Sequence, residues 1–309
     1  MSTSDSTTGR QADLWNRYLK FVICPTLLLQ VNDNGDTPLH VEAKQGCVAI
    51  VEVLINQART QRDQNLESGV TAVKQMLRMT NNEGNTALHE AGQNHSVGVV
   101  KILMREDPEF PYSANYCGET LLYIAASTGS LGAVVEILET YTSATYQGPC
   151  GMTALHGAVK RNRLDITRKT LKKKSWTKET DQNEWTSLHY TAYYGYHLII
   201  QLLVEFDASA AYIADNDRQM TALHLAAGQG RFDIIKTITS SCPDCVELVD
   251  SRGWNYVHFT RIENFGWRLV HQISYEYKGC QRKHSSTCAC LNPPNFLWQH
   301  QEETKKGTH

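Results

Sequence analysis

The chain has 309 residues, 41% of them hydrophobic, and a formal net charge of −2. That balance gives no overall electrostatic case for nucleic acid or a membrane surface. The opening MSTSDSTTGRQ has no apolar stretch of the kind that marks a secretory signal, and the longest apolar run, Phe21 to Leu29, is broken at Cys24-Pro25 and falls short of the roughly 18 residues a membrane span needs. An intracellular, cytoplasmic protein is expected.

Residues 1–12 read as a disordered arm. Residues 13–30 predict a capping helix, because Leu14, Trp15, Tyr18, Leu19, Phe21 and Val22 fall on one side of a short helix that Pro25 stops. At 37–40 stands TPLH, and it returns as TALH at 86–89, TLLY at 120–123, TALH at 153–156, TSLH at 186–189, TALH at 221–224 and NYVH at 255–258. Successive first positions are 49, 34, 33, 33, 35 and 34 residues apart, so repeats begin near 35, 84, 118, 151, 184, 219 and 253. The first step exceeds the second by 49 − 34 = 15 residues, roughly Gln57 to Val73, whose polar composition predicts a solvated loop or an extended helix end.

A period near 33 that opens on T-P-L-H and runs into an Ala-containing helix resembles the ankyrin repeat. Thr caps the first helix and Pro or Ala fills its first turn. Leu faces the stack, and His hydrogen-bonds between neighbours. Gly46, Gly129, Gly195 and Gly230 make the turn, and a second helix brings apolar residues such as Ile199, Ile200, Leu202 and Leu203. The expected fold is an all-α solenoid over 31–265, with about seven ankyrin repeats built from helix pairs with β-hairpin loops. Six pairs should be well formed and the seventh degenerate, because Thr260-Arg261 replaces Ala-Ala there. Thr167 and Thr170 stand where neighbouring repeats supply apolar side chains, so thin packing is expected in the fourth repeat, and 266–309 reads as an irregular or disordered tail.

There is no P-loop, no G-x-S-x-G and no H-E-x-x-H, so neither an enzyme nor a cofactor is expected. His40, His89, His156, His189, His224 and His258 belong to the repeat motif and read as architectural. Nine cysteines, odd in number and scattered, argue for reduced thiols. Cys242 and Cys245 form a C-x-x-C at a helix end and read as structural; Cys280, His284, Cys288 and Cys290 have zinc-like composition, but their Ser and Pro flanks point to a tail.

Binding must therefore be sought on the surface. The residues before each helix turn face the groove of the solenoid, and the aromatic density of the fifth repeat makes it the expected anchor for a protein partner. The predicted contact set is Lys160, Arg161, Trp185, Tyr190, Tyr193, Tyr194 and Gln229, with Tyr196 beside it. A basic run follows, with Arg161, Arg163, Arg168, Lys169, Lys172, Lys173, Lys174 and Lys178 against Asp165. It suits an acidic partner, anionic lipid or nuclear import, or it is a solvated helix end of the sort the helix dipole favours.

The stretches at 77–126, 184–203 and 209–259, with the inter-repeat idioms EDPEF at 106–110 and CPDCVELVDSRGWN at 242–255, resemble plant ankyrin proteins of the accelerated-cell-death-six type. The resemblance implies a regulator of salicylate-linked defence and cell death. It further implies an ankyrin array held at the cytoplasmic face of a membrane by transmembrane helices that follow the repeats. Past Phe259 the text RIENFGWRLVHQISYEYKGC resembles an altered reading frame or a retained intron, so a truncated form is expected, reaching a membrane only through a partner. The reading taken is a protein-binding scaffold; the alternative is a membrane-associated transport or channel-like regulator.

Overall fold

The computed structural model describes residues 25–60, 71–108, 114–140, 146–173 and 176–260. The arm at 1–12, the helix expected over 13–24, Lys174, the tail at 266–309 and its cysteine and histidine cluster lie outside the described residues.

Local chemistry sets each helix start. Thr37 sits in extended backbone, its hydroxyl accepts from the His40 backbone N–H, and its own N–H donates to His40 Nδ1 at 3.2 Å. This is a capping box in which histidine takes the place usually held by Glu or Gln. The same reciprocal pair opens the first helix at Thr86, Thr153, Thr186 and Thr221. Helix α1 (Pro38–Gln45) then ends on Gly46 in the left-handed conformation, and α2 (Val48–Thr60) runs back.

The later repeats follow the same plan: α4 (Ala87–Gln93) with α5 (Val97–Glu106), α6 (Leu121–Thr128) with α7 (Leu131–Thr140), α8 (Ala154–Lys160) with α9 (Leu164–Lys173), α10 (Ser187–Tyr194) with α11 (His197–Phe206), and α12 (Ala222–Gly228) with α13 (Phe232–Ser241). First helices pack on first helices and second on second, which makes two layers around one continuous core. The fold is the expected all-α solenoid. Instead of β-hairpins, the loops are turns with single bridges at Thr80–Thr86, Gln147–Thr153 and Ala214–Thr221.

Except at Gln147–Thr153, where Gly148 holds the place, those turns are pinned by an Asn or Asp side chain, and the turn tips are zipped to one another. Asn81 Oδ1 accepts from the N–H groups of Glu83 and Asn85, and Asp181 Oδ1 does the same for Asn183 and Trp185. Between tips, Asn82 N–H donates to Asn34 O at 3.0 Å, Tyr116 to Glu83, Gln182 to Cys150, Asn216 to Asn183 and Ser251 to Arg218. At the joint between the third and fourth repeats the corresponding residue is Pro149, which has no N–H to give.

Two expectations change. The long first step ends in a helix, α3 (Ala72–Arg78), capped by Thr71; it buries Val73, Met76 and Leu77 against α2 and α5, and Arg78 Nε binds Asp107 at 2.7 Å. The outer helix of the fourth repeat is not thinly packed, since Ile166, Thr167, Thr170 and Leu171 are all buried. In the seventh repeat α14 (Tyr256–Thr260) forms and buries Phe259, while any second helix falls outside the described residues. At the other end, a short 3-10 turn at Pro25–Leu29 seats Leu28 against α1 and α2. No helix among the described residues is long and apolar enough to cross a membrane.

Candidate interaction surface

The motif histidines are the first candidates for chemistry, and their surroundings commit them elsewhere. In four of them, His40, His156, His189 and His224, Nδ1 accepts the capping Thr N–H, so the proton sits on Nε2, which donates to a carbonyl of the next repeat. His40 reaches Asn85 O at 2.9 Å, His156 reaches Trp185 O at 3.0 Å, His189 reaches Met220 O at 3.2 Å and His224 reaches Trp254 O at 3.0 Å. Burial holds His156 and His189 at about 4 and lowers His40 and His224. They are neutral girders at neutral pH.

The aromatic residues of the fifth repeat form a ladder along α10. The Trp185 ring meets Tyr190 edge-on at 5.1 Å, Tyr190 stacks on Tyr194 at 6.5 Å, and Tyr194 stacks on Tyr196 at 5.5 Å. Its inner end is core: Trp185, Tyr190 and Tyr193 are 4%, 2% and 8% exposed. The Tyr190 hydroxyl donates to Asp181 Oδ2 at 2.6 Å, and burial, followed by that carboxylate, pushes its pKa upward. Only Tyr194 and Tyr196 are half-buried, so three of the rings expected to face a partner fill the space between repeats instead.

Around the ladder, Lys160 ends α8 with its Nζ 5.1 Å from the centre of the Tyr190 ring and 3.6 Å from Met152 Sδ. Arg161 is exposed beside it, and Gln229 is half-buried where it caps α12. Lys160, Tyr194 and Gln229 thus mark the C-terminal ends of three successive first helices. The basic run divides: Arg163, Arg168, Lys172, Lys173 and Lys178 are exposed and Lys169 half-buried. Arg163 donates to Thr128 O at 3.1 Å, close over Gly129, and so finishes α6 of the preceding repeat.

A feature not anticipated is a row of exposed apolar residues at the start of the second helices: Val48, Leu131, Leu198 and Phe232. Three of them stand two residues after a left-handed turn glycine, a spacing that could have flagged them. Cys242 and Cys245 are buried at the end of α13, and burial pushes the Cys245 thiol up to about 12, far from a reactive thiolate.

A family model described as "Ankyrin repeats (3 copies)" matches residues 18–113 and 155–248. Among curated proteins, human ankyrin repeat and SOCS box protein 3 is 30% identical over 100 residues, which is 32% of this chain and 19% of that protein, so the chain spans about a fifth of the relative's length. The crystal structure of the Bcl-3 ankyrin repeat domain, a member of the IkappaB protein family, superposes with a TM-score of 0.62 at 23% identity, covering 73% of this chain and 94% of that one. The human ASB11 ankyrin repeat domain does so at 0.58 and 23%, covering 72% and 91%, and an ankyrin repeat domain from Acinetobacter baumannii at 0.54 and 20%, covering 66% and 97%. These structural likenesses are of fold.

Proposed function

This chain belongs to the ankyrin-repeat family, and from that premise we propose a non-enzymatic scaffold that holds a protein segment across the first-helix ends of the fourth to sixth repeats. The observation that carries the reading is the division of labour along α10. Its buried rings rigidify the stack, and the ladder surfaces at Tyr194 and Tyr196 between the Lys160–Arg161 pair on one side and Gln229 on the other. Rigid rings with few torsions left to freeze, flanked by charge and amide groups, suit a peptide backbone and its side chains.

The cellular setting we propose is plant defence and cell-death signalling linked to salicylic acid. Its support is the EDPEF and CPDCVELVDSRGWN idioms, which the general ankyrin pattern does not require. Capture experiments from plant cytosol test both levels. Truncating Tyr194 and Tyr196 to Ala is expected to cost about 2 kcal/mol in binding and to remove a partner that the wild type retains, while Arg161→Glu mainly slows association. An unchanged partner set for the double variant would exclude this surface, and partners with no link to defence would exclude the setting.

A further inference from the structure

The second-helix layer carries ion pairs from repeat to repeat. Lys101 of α5 reaches Glu136 of α7 at 3.3 Å, and Lys169 of α9 reaches back to Glu139 of α7 at 3.0 Å. Beyond α9, Lys178 lies 3.9 Å from Asp207. Together with Arg163 on Thr128, these contacts use much of the basic run structurally. Arg168, Lys172 and Lys173 are different: all three are exposed, and none has an ion pair or side-chain hydrogen bond among the described residues.

Their positions explain why. Arg168 is the fifth residue of α9, as Lys101 is of α5, but the residue of α11 that corresponds to Glu136 is Leu202, which offers no carboxylate. Arg168 and Lys172 stand one turn apart on the same face, where like charges repel. The helix dipole favours Lys172 and Lys173 in the last turn but does nothing for Arg168 in the middle. Beyond that modest dipole effect, no ion pair among the described residues uses this cluster, and the neighbouring outer helices carry the opposite sign, with Glu136 and Glu139 on α7 and Glu205 on α11. A broad anionic membrane would meet those carboxylates together with the cations. A narrow acidic segment lying along the last two turns of α9 meets Arg168, Lys172 and Lys173, with Asp165 of the first turn beyond its end.

We propose that α9 is a second docking surface, on the layer away from the first-helix ends, and that it takes an acidic peptide segment of a partner protein. The inference does not depend on the aromatic site. The test is fluorescence anisotropy of a short labelled Glu/Asp-rich peptide titrated with the full chain at low and high ionic strength. Wild type should bind, and more weakly in high salt. Arg168→Glu/Lys172→Glu/Lys173→Glu should lower affinity at least about tenfold, the corresponding triple Gln variant should lower it less, and Lys236→Glu on α13 should leave it unchanged. Circular dichroism confirms that the variants fold, and the Gln variant serves if the charge reversal does not. Equal binding by the folded triple variants, an equal loss from Lys236→Glu, or sedimentation of wild type with phosphatidylserine vesicles that the peptide fails to compete would each overturn the proposal.

Discussion

Thr170 shows how a residue that breaks a repeat pattern can still belong to the core. It and Thr167 are fully buried, and both hydroxyls are satisfied within their own helix: Thr167 Oγ1 donates to Arg163 O at 2.8 Å, and Thr170 Oγ1 donates to Ile166 O at 2.9 Å. Those carbonyls lie one turn back along the same helix, so a hydroxyl of this kind adds little and can bend the helix slightly. Thr170→Val keeps the shape and exchanges a hydroxyl for a methyl, so it should raise stability by up to about 1 kcal/mol. Thr170→Leu adds volume at a site with no solvent exposure and should lower stability by about 1–3 kcal/mol, opposite to what the sequence pattern alone suggests. Urea unfolding midpoints decide it, and a Leu variant more stable than the Val variant would reveal a cavity. Turn chemistry was partly legible in the same way. Glycines mark four of the left-handed turn positions, but His95 (φ 59°) and Asn162 (φ 56°) fill two others, where only the backbone reveals the role.

At the scale of elements, the joint between the third and fourth repeats is built differently from the rest. Tyr123 takes the place of the motif histidine, and its ring lies where Gly148 has no side chain; a Cβ on Gly148 would come within 2.2 Å of Tyr123 Cδ2. The Gly148 backbone is extended, so only the ring excludes a side chain there. The other turns put Asn or Asp at this place. Gly157 relieves the same ring from the helix side, its would-be Cβ 3.1 Å from Tyr123 Cε2. The tyrosine and two glycines are thus one compensated unit, at the joint where Pro149 interrupts the zipper of turn tips. Gly148→Ala should destabilise by about 1–3 kcal/mol, and pairing it with Tyr123→His should recover much of that loss in a double-mutant cycle of chemical denaturation. Additive losses would show that ring and glycine are independent. The period and the caps made the helix pairs legible in sequence, because T-x-L-H carries its own hydrogen bonds. Helix α3 was not legible, being seven residues inside an insertion with no copy elsewhere to compare. The burial of Trp185 and Tyr190 was hidden for another reason: aromatic density signals contact area without saying whether the contact is a partner or the next repeat.

For the whole molecule, stability is a sum over joints, since each repeat touches only its neighbours. Four of those joints carry the same buried histidine bond, and this ties the solenoid to pH. Burial sets the folded-state values of His156 and His189 at about 4, below the ordinary 6.5, and lowers those of His40 and His224 in the same direction. Between 6.5 and about 4 the unfolded chain therefore binds more protons than the folded one. Stability is complete above that window and falls as the pH drops through it. The slope approaches about 1.4 kcal/mol per pH unit for each histidine that stays neutral in the fold. His156 and His189 span consecutive joints, from the fourth repeat to the fifth and from the fifth to the sixth, so acid should loosen the solenoid there first. Urea midpoints of the wild type should fall between pH 7 and pH 5, and amide exchange at pH 5 should accelerate earliest in α8, α10 and α12. His189→Gln should be less stable at pH 7, having lost the bond to Met220 O, yet should show a shallower fall on acidification. A wild type equally stable at both pH values, or a His189→Gln variant as pH-sensitive as wild type, would show that these histidines already titrate in the folded chain and do not set its acid limit.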